Sequence, residues 1–217
     1  MSTRDFETLY KEARLNLEPP SALSVVQIRV APQSSSIRPN STRPSSNPAD
    51  DEKAYRARNL ATASSIYYRK HHSSPRGILW RVLENDTVLS LRAADVCKLE
   101  KEADAPLILN LRFPSPIRTP CIGFADPEGH DVLCVYVVDQ ANQLYSIMLR
   151  PDHFKKRSAN DGGVLGDACK VWSPPGFSFK HPHRLAVVNP DQLIVTMHDG
   201  GILRFDRNRL HDGKTCD

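Results

Sequence analysis

Long hydrophobic runs are missing from this sequence. No window approaches the roughly 20 apolar residues that cross a bilayer. Met1 to Tyr10 is charged and has no hydrophobic signal core. Cysteine is sparse and badly spaced for a framework: Cys97, Cys121, Cys134, Cys169 and Cys216 are an odd number with no C-x-x-C. That spacing excludes a zinc ribbon, and the set reads as thiols of a reducing compartment, cytosol or nucleus. The sequons at Asn40 and Asn85 are then chance matches. Also absent are G-x-S-x-G, G-x-x-x-x-G-K-S/T and G-x-G-x-x-G, so hydrolase-elbow, P-loop and dinucleotide chemistry have no support. Glycine is scarce, 10 residues against 17 prolines, which points to irregular connections. One sign of charge does not dominate the part that looks folded. Residues 1–77 carry 12 Lys/Arg against 7 Asp/Glu, whereas residues 78–217 carry 17 against 18. A near-neutral body argues against a nucleic-acid-binding core.

What the sequence does have is a recurring pair of apolar runs joined by a short Asp/Asn/Gly turn. Ile78 to Leu83 and Thr87 to Leu91 flank Glu84-Asn85-Asp86, and Val132 to Val138 and Leu144 to Leu149 flank Asp139 to Gln143. Leu193 to Met197 and Ile202 to Phe205 flank His198-Asp199-Gly200-Gly201. Tight turns between extended apolar runs predict antiparallel hairpins. Their centres lie about 55 to 60 residues apart, the mark of a repeat architecture. A second element repeats at a similar offset of about 62. Pro120 to Pro127 and Pro182 to Pro190 each read as a strand ending in Asp-Pro or Asn-Pro.

Four regions follow. Residues 1–30 hold two strand candidates, Ala13 to Leu17 and Ser24 to Val30, expected to join the main fold. Residues 31–50 contain six serines and four prolines with Ile37 as the one large apolar residue, and are expected to be a disordered insertion. Residues 51–77 are expected to form a short helix, Asp51 to Ala63, and a linker. Residues 78–217 are nearly all strand, with further candidates at Leu107 to Phe113, Cys121 to Phe124, Lys170 to Trp172, Phe177 to Phe179 and Leu185 to Val188. Between them, 150–168 reads as a charged loop with one helical turn around His153 to Arg157.

Val132 to Val138 is apolar at every position, so both of its faces should be buried. Antiparallel strands buried on both faces occur where small sheets stack face to face, as in a β-propeller. The predicted fold class is therefore all-β, a partial β-propeller of about three blades, with a β-sandwich as the structural alternative. Cys121 and Cys134 fall inside strands and read as small core residues. Three blades cannot close a ring, so the chain is expected to be the N-terminal piece of a longer protein.

Four groups of residues invite chemistry. His181 and His183, two apart on a strand, share a side and could begin a metal site, but they need ligands from elsewhere; His71-His72 are adjacent. His198-Asp199 resembles an acid/base couple, yet Gly200-Gly201 behind it makes Asp199 a turn former. Tyr55, Tyr67 and Tyr68 interleave with Arg56, Arg58, Arg69, Lys70 and Arg76, a pattern compatible with base stacking but better read as a solvated helix and loop. Lys155-Lys156-Arg157 is a charged loop. Ser74-Pro75, Ser115-Pro116 and Ser173-Pro174 match proline-directed phosphorylation and also ordinary turns. No catalytic, cofactor or metal residue is assigned, and no interaction residue is singled out.

The segments Tyr10 to Leu17, Leu79 to Leu89 and Phe113 to Arg118 resemble the N-terminal region of fungal nucleoporins of the 120/160 class. So do Asp139 to Tyr145, Leu149 to Phe154, His181 to Leu185 and Thr196 to Gly201, in order across nearly the whole chain except 31–50. The resemblance implies a scaffold subunit of the Y-shaped outer-ring complex of the nuclear pore, with an N-terminal propeller and a long helical domain. It implies a non-enzymatic role in pore assembly, mRNA export and protein transport, in the nucleus at the nuclear envelope. Its implied partners are other Y-complex nucleoporins; neither nucleic acid, cofactor nor transmembrane segment is expected. A propeller adaptor that binds a peptide or nucleic acid outside the pore is the alternative.

Overall fold

Alternating apolar strands punctuated by tight turns build three sheets. A computed structural model describes residues 25–31, 60–70, 77–94, 108–154, 165, 168–173 and 181–206. The first sheet contains β1 (Val25–Arg29), β2 (Ala63–Tyr68), β3 (Gly77–Leu83), β4 (Val88–Ala94) and β5 (Ile108–Arg112), in the order β1-β5-β4-β3-β2. The middle sheet runs β6 (Ile117–Ala125), β7 (Leu133–Asp139), β8 (Leu144–Leu149), β9 (Cys169–Trp172). The third runs β10 (Pro182–Asn189), β11 (Gln192–Met197), β12 (Ile202–Asp206). Neighbouring strands are antiparallel except β1, which adds to β5 in parallel, Ile28 opposite Leu111. Among the described residues there is no α-helix.

Period-2 alternation decides how the sheets stack. Leu133, Val135 and Val137 of β7, with Tyr145, Ile147 and Leu149 of β8, enter one core alongside Ile78, Val82, Leu89, Leu91, Leu109 and Leu111 of the first sheet. The intervening residues Cys134, Tyr136 and Val138 enter a second core with Leu185, Leu193, Val195 and Phe205 of the third sheet. All seven residues of β7 are buried. A middle sheet covered on both faces is propeller stacking; a two-layer sandwich has no such sheet. Full burial of each aliphatic side chain contributes about 1.5–3 kcal/mol, so these two cores carry the fold. Cys121 and Cys134 lie buried in the second core, as expected of small apolar residues.

Several expectations need revision. Ala63 is not the end of a helix but the first residue of β2, which pairs with β3 from Ala63 opposite Val82 to Tyr68 opposite Gly77. Pairing with β3 makes Ala63 extended, while Ala54 and Ala57, which carry the helical spacing, lie outside the described residues. The turn near His153 is a 3-10 turn at Pro151–Phe154. Leu165, inside the supposed charged loop, is buried, and its N–H donates to the Arg29 carbonyl at 3.1 Å. The strand candidates Ala13 to Leu17 and Phe177 to Phe179, and residues 31–59 apart from Ala31, lie outside the described residues.

Candidate interaction surface

The three hairpins close with three different chemistries. At β3–β4, Glu84, Asn85 and Asp86 all take left-handed φ (52°, 55° and 66°) without a glycine. Short polar side chains tolerate that region best, and the turn is held by Thr87 Oγ1 donating to the Glu84 carbonyl at 2.7 Å. Arg112 Nη2 adds an ion pair with Glu84 at 2.5 Å. At β7–β8 the fully buried Asp139 accepts from Gln143 N at 2.8 Å and from the Tyr145 hydroxyl at 3.0 Å. Arg118 on β6 donates to the Asp139 carbonyl at 3.1 Å and to Asn142 Oδ1 at 3.1 Å. Burial raises the Asp139 carboxyl above the usual range despite these bonds, and burial with the Asp139 charge raises the Tyr145 hydroxyl. At β11–β12, Gly200 has φ 87° and Asp199 Oδ1 accepts from Gly201 N at 2.9 Å.

Polar and aromatic groups then tie the sheets together. Arg69, at the end of β2, donates through Nε (3.1 Å) and Nη2 (2.9 Å) to Asp126 Oδ1 at the end of β6. Both side chains are buried, and Arg69 also reaches the exposed Asp131 at 3.3 Å. Beneath this pair Tyr67 stacks on Phe124 with centroids 5.4 Å apart, and Trp80 tilts against the same ring at 6.0 Å. Burial, then the Asp126 charge, pushes the Tyr67 hydroxyl up to about 12. Between the middle and third sheets the joint is closer. A Cβ on Gly123 would sit 2.7 Å from Val187 Cγ2 and closer still to Leu185 Cδ2. Glycine is needed there for the approach of β6 to β10, not for a special φ.

Two outward faces remain. On the first sheet, register places Ser64, Ile66, Leu79, Arg81, Ser90, Arg92 and Ile108 on the side turned away from the middle sheet. They line a groove of ≈ 170 Å³. Burial, then the nearby Arg92 charge, lowers the Arg81 guanidinium's proton affinity. On the third sheet the outward side carries Ala186, Ile194, Thr196, Ile202 and Arg204. Val188 and Ile202 are exposed by 57% and 68%, and Ile66 and Tyr68 on the first sheet by 55% each. Leu60 and Val171 are exposed large apolar side chains as well. A cavity of ≈ 290 Å³ lies where β2, β6 and β10 end, walled by Tyr67, Lys70, Phe124, Asp126, Val187 and Pro190.

The residues that invited chemistry are scattered. His198 and Asp199 form the β11–β12 turn, and His183 lies with its ring centroid 4.7 Å from that of His198. Of the Tyr/Arg stretch, Tyr67 and Arg69 are drawn inward, Tyr68 and Lys70 are exposed, and Tyr55, Arg56, Arg58 and Arg76 lie outside the described residues. A sheet-joining role thus replaces the solvated helix and loop for the described part. Ser115 is half-buried between the buried Phe113 and Ile117, and Ser173 is exposed after β9. Ser74, His71, His72 and Lys155 to Arg157 lie outside the described residues. Sequence patterns missed the Arg69–Asp126 pair, Gly123 and the Asp139–Tyr145 bond. The only available signals were an Asp before Pro127 and a lone glycine inside an apolar strand.

Among the described residues no helix is long and apolar enough to cross a membrane. Residues 76–216 match the family described as nucleoporin Nup120/160, beta-propeller domain. The chain is 71% identical over 217 residues to nucleoporin NUP120 of Chaetomium thermophilum, covering 98% of this chain and 17% of that protein. It is 23% identical over 160 residues to nucleoporin nup120 of Schizosaccharomyces pombe, covering 73% of this chain and 14% of that protein. The chain therefore spans about a sixth of the length of these curated relatives. Three stacked sheets, a middle sheet buried on both faces and this identity together place the chain in the Nup120/160 β-propeller family of nucleoporins.

Proposed function

We propose that the chain is a docking module of a scaffold subunit in the Y-shaped outer-ring complex of the nuclear pore, contacting other Y-complex nucleoporins. Nucleoporins are components of the nuclear pore complex at the nuclear envelope, and the family is a scaffold one rather than an enzyme family. The observation that carries the proposal is 71% identity over 98% of the chain to a named Nup120. Physical support comes from the two doubly packed cores, which hold the sheets rigid, and from outward apolar side chains such as Val188 and Ile202. A rigid body with apolar anchors binds partners at little conformational cost. Its activity is to hold position, with no reaction catalysed, and pore assembly, mRNA export and protein transport depend on it.

The test is affinity capture of the tagged full-length protein, with photobleaching at the nuclear rim and staining of polyadenylated RNA after depletion. Co-recovery of outer-ring nucleoporins, slow exchange and nuclear RNA accumulation are expected. Rapid exchange without co-recovery would refute the scaffold role and favour an adaptor outside the pore.

A further inference from the structure

The five strands of the first sheet contain four arginines, Arg29, Arg81, Arg92 and Arg112, and neither aspartate nor glutamate. Residues directly paired across strands share a face, as do residues two apart on one strand. Arg81 lies opposite Ser90, Arg92 opposite Leu79, and Arg112 opposite both Val88 and Arg29. All four arginines therefore stand on the side turned away from the middle sheet, while Val82, Leu89 and Leu111 take the core side. Glu84 of the β3–β4 turn meets Arg112. Arg81 and Arg92, on adjacent strands and both half-buried, wall the groove of ≈ 170 Å³ together with Ile66, Leu79 and Ile108. Burial first and the Arg92 charge second lower the proton affinity of Arg81, so the two cations act on each other.

We propose that this arginine face is the seam at which the propeller ring closes, covered by a further sheet of the same polypeptide whose carboxylates meet Arg81 and Arg92. Charge selects the chemistry. Two half-buried guanidiniums repel, and carboxylates set against them turn that repulsion into attraction. Arginine suits such a joint because its guanidinium is weakly hydrated and holds a carboxylate through two parallel bonds. The aliphatic groups between the cations call for a packed surface rather than a free anion, since Ile66 is 55% exposed on the same face. Stacking selects the source. The middle sheet is covered on both faces by sheets of its own chain, and a closed ring of blades brings its first and last faces together. The chain covers 17% of the Chaetomium nucleoporin, so a protein of that length has ample chain for the covering sheet. A second copy meeting this face through itself would set arginine against arginine. The inference rests on the propeller fold and is independent of the scaffold role.

Zero-length cross-linking of the full-length protein tests it. Arg81→Lys and Arg92→Lys keep the positive charge and each supply an amine that a carbodiimide joins to a carboxylate in contact with it, and peptide mass spectrometry then identifies the acid. Links from both positions to Asp or Glu of the same chain beyond residue 217 are expected, with a yield unchanged on dilution. Arg81→Glu should lower the Tm of the full-length protein, and replacing the cross-linked acid with lysine in that background should restore most of the loss. Links to another polypeptide, links only within residues 1–217, or no links from either position would overturn the seam. Strict additivity of the two charge reversals would overturn it as well.

Discussion

Replacing Gly123 with alanine tests how tightly the middle and third sheets are joined. Carbon atoms in good contact lie about 3.5–4.0 Å apart, whereas the new methyl would lie 2.7 Å from Val187 Cγ2 and nearer still to Leu185 Cδ2. Relief requires Leu185, which is buried, to leave its rotamer, or β10 to move away from β6. Overpacking of this kind costs about 1–3 kcal/mol. Alanine recovers about 0.4–1 kcal/mol by restricting the unfolded chain. The net expectation is a loss of about 0.5–2 kcal/mol, seen as a fall of about 1–8 °C in Tm for a chain of this size. Urea unfolding followed by tryptophan fluorescence measures it, and a double-mutant cycle sharpens it. Leu185→Ala alone opens a cavity, costing about 2–5 kcal/mol, but the Gly123→Ala methyl occupies part of that space. The double variant should therefore be more stable than additivity predicts by at least about 0.5 kcal/mol. Gly123→Ala that is neutral or stabilising, with strict additivity, would refute the close approach.

Gly200 is the contrasting case: nothing lies within 4 Å of its would-be Cβ, but its φ is 87°. Gly200→Ala should cost about 1–2 kcal/mol from backbone conformation alone, and Gly200→Asn should recover part of that in thermal unfolding. Arg69→Met leaves the Asp126 carboxylate buried beside an apolar chain and should destabilise by about 3–5 kcal/mol, while adding Asp126→Leu should restore most of it; equal losses in both variants would deny the pair its role. Asp139 has a folded pKa raised by burial, so it binds its proton more tightly folded than unfolded. Its contribution is greatest below the unfolded pKa of about 3.9 and falls as pH rises through the folded value. Parent stability relative to Asp139→Asn should thus decline as pH rises above about 4 in urea titrations; a rising difference would contradict the burial.

Local pattern by itself determined the hairpins, because turn chemistry and period-2 hydrophobicity are properties of neighbouring residues. Left-handed φ falls on Glu84, Asn85 and Asp86 in the first turn, on Asn142 in the second and on Gly200 in the third. The unbroken apolar run of β7 carried one further fact, burial on both faces, and with it stacked sheets. The equivalence of Pro120 to Pro127 with Pro182 to Pro190 was visible as well, and the two segments prove to be the neighbouring strands β6 and β10. The family resemblance was legible from segments spread along the chain, and the family match over residues 76–216 and the 71% identity to a named nucleoporin bear it out.

Contacts between distant residues decided the rest. β2 is a strand because β3 supplies its partners, against the helical spacing of alanines before it. Arg69 is an inter-sheet lock rather than a surface cation because Asp126 lies 57 positions away in sequence and 2.9 Å away in space. Leu165 is core rather than loop because β1 accepts its N–H. His183 and His198 become a pair only when β10 and β11 align. Sequence determines which residues turn, alternate or prefer burial; the sheet stacking decides which of them meet, because an interaction between sheets leaves no periodic trace in the chain that makes it.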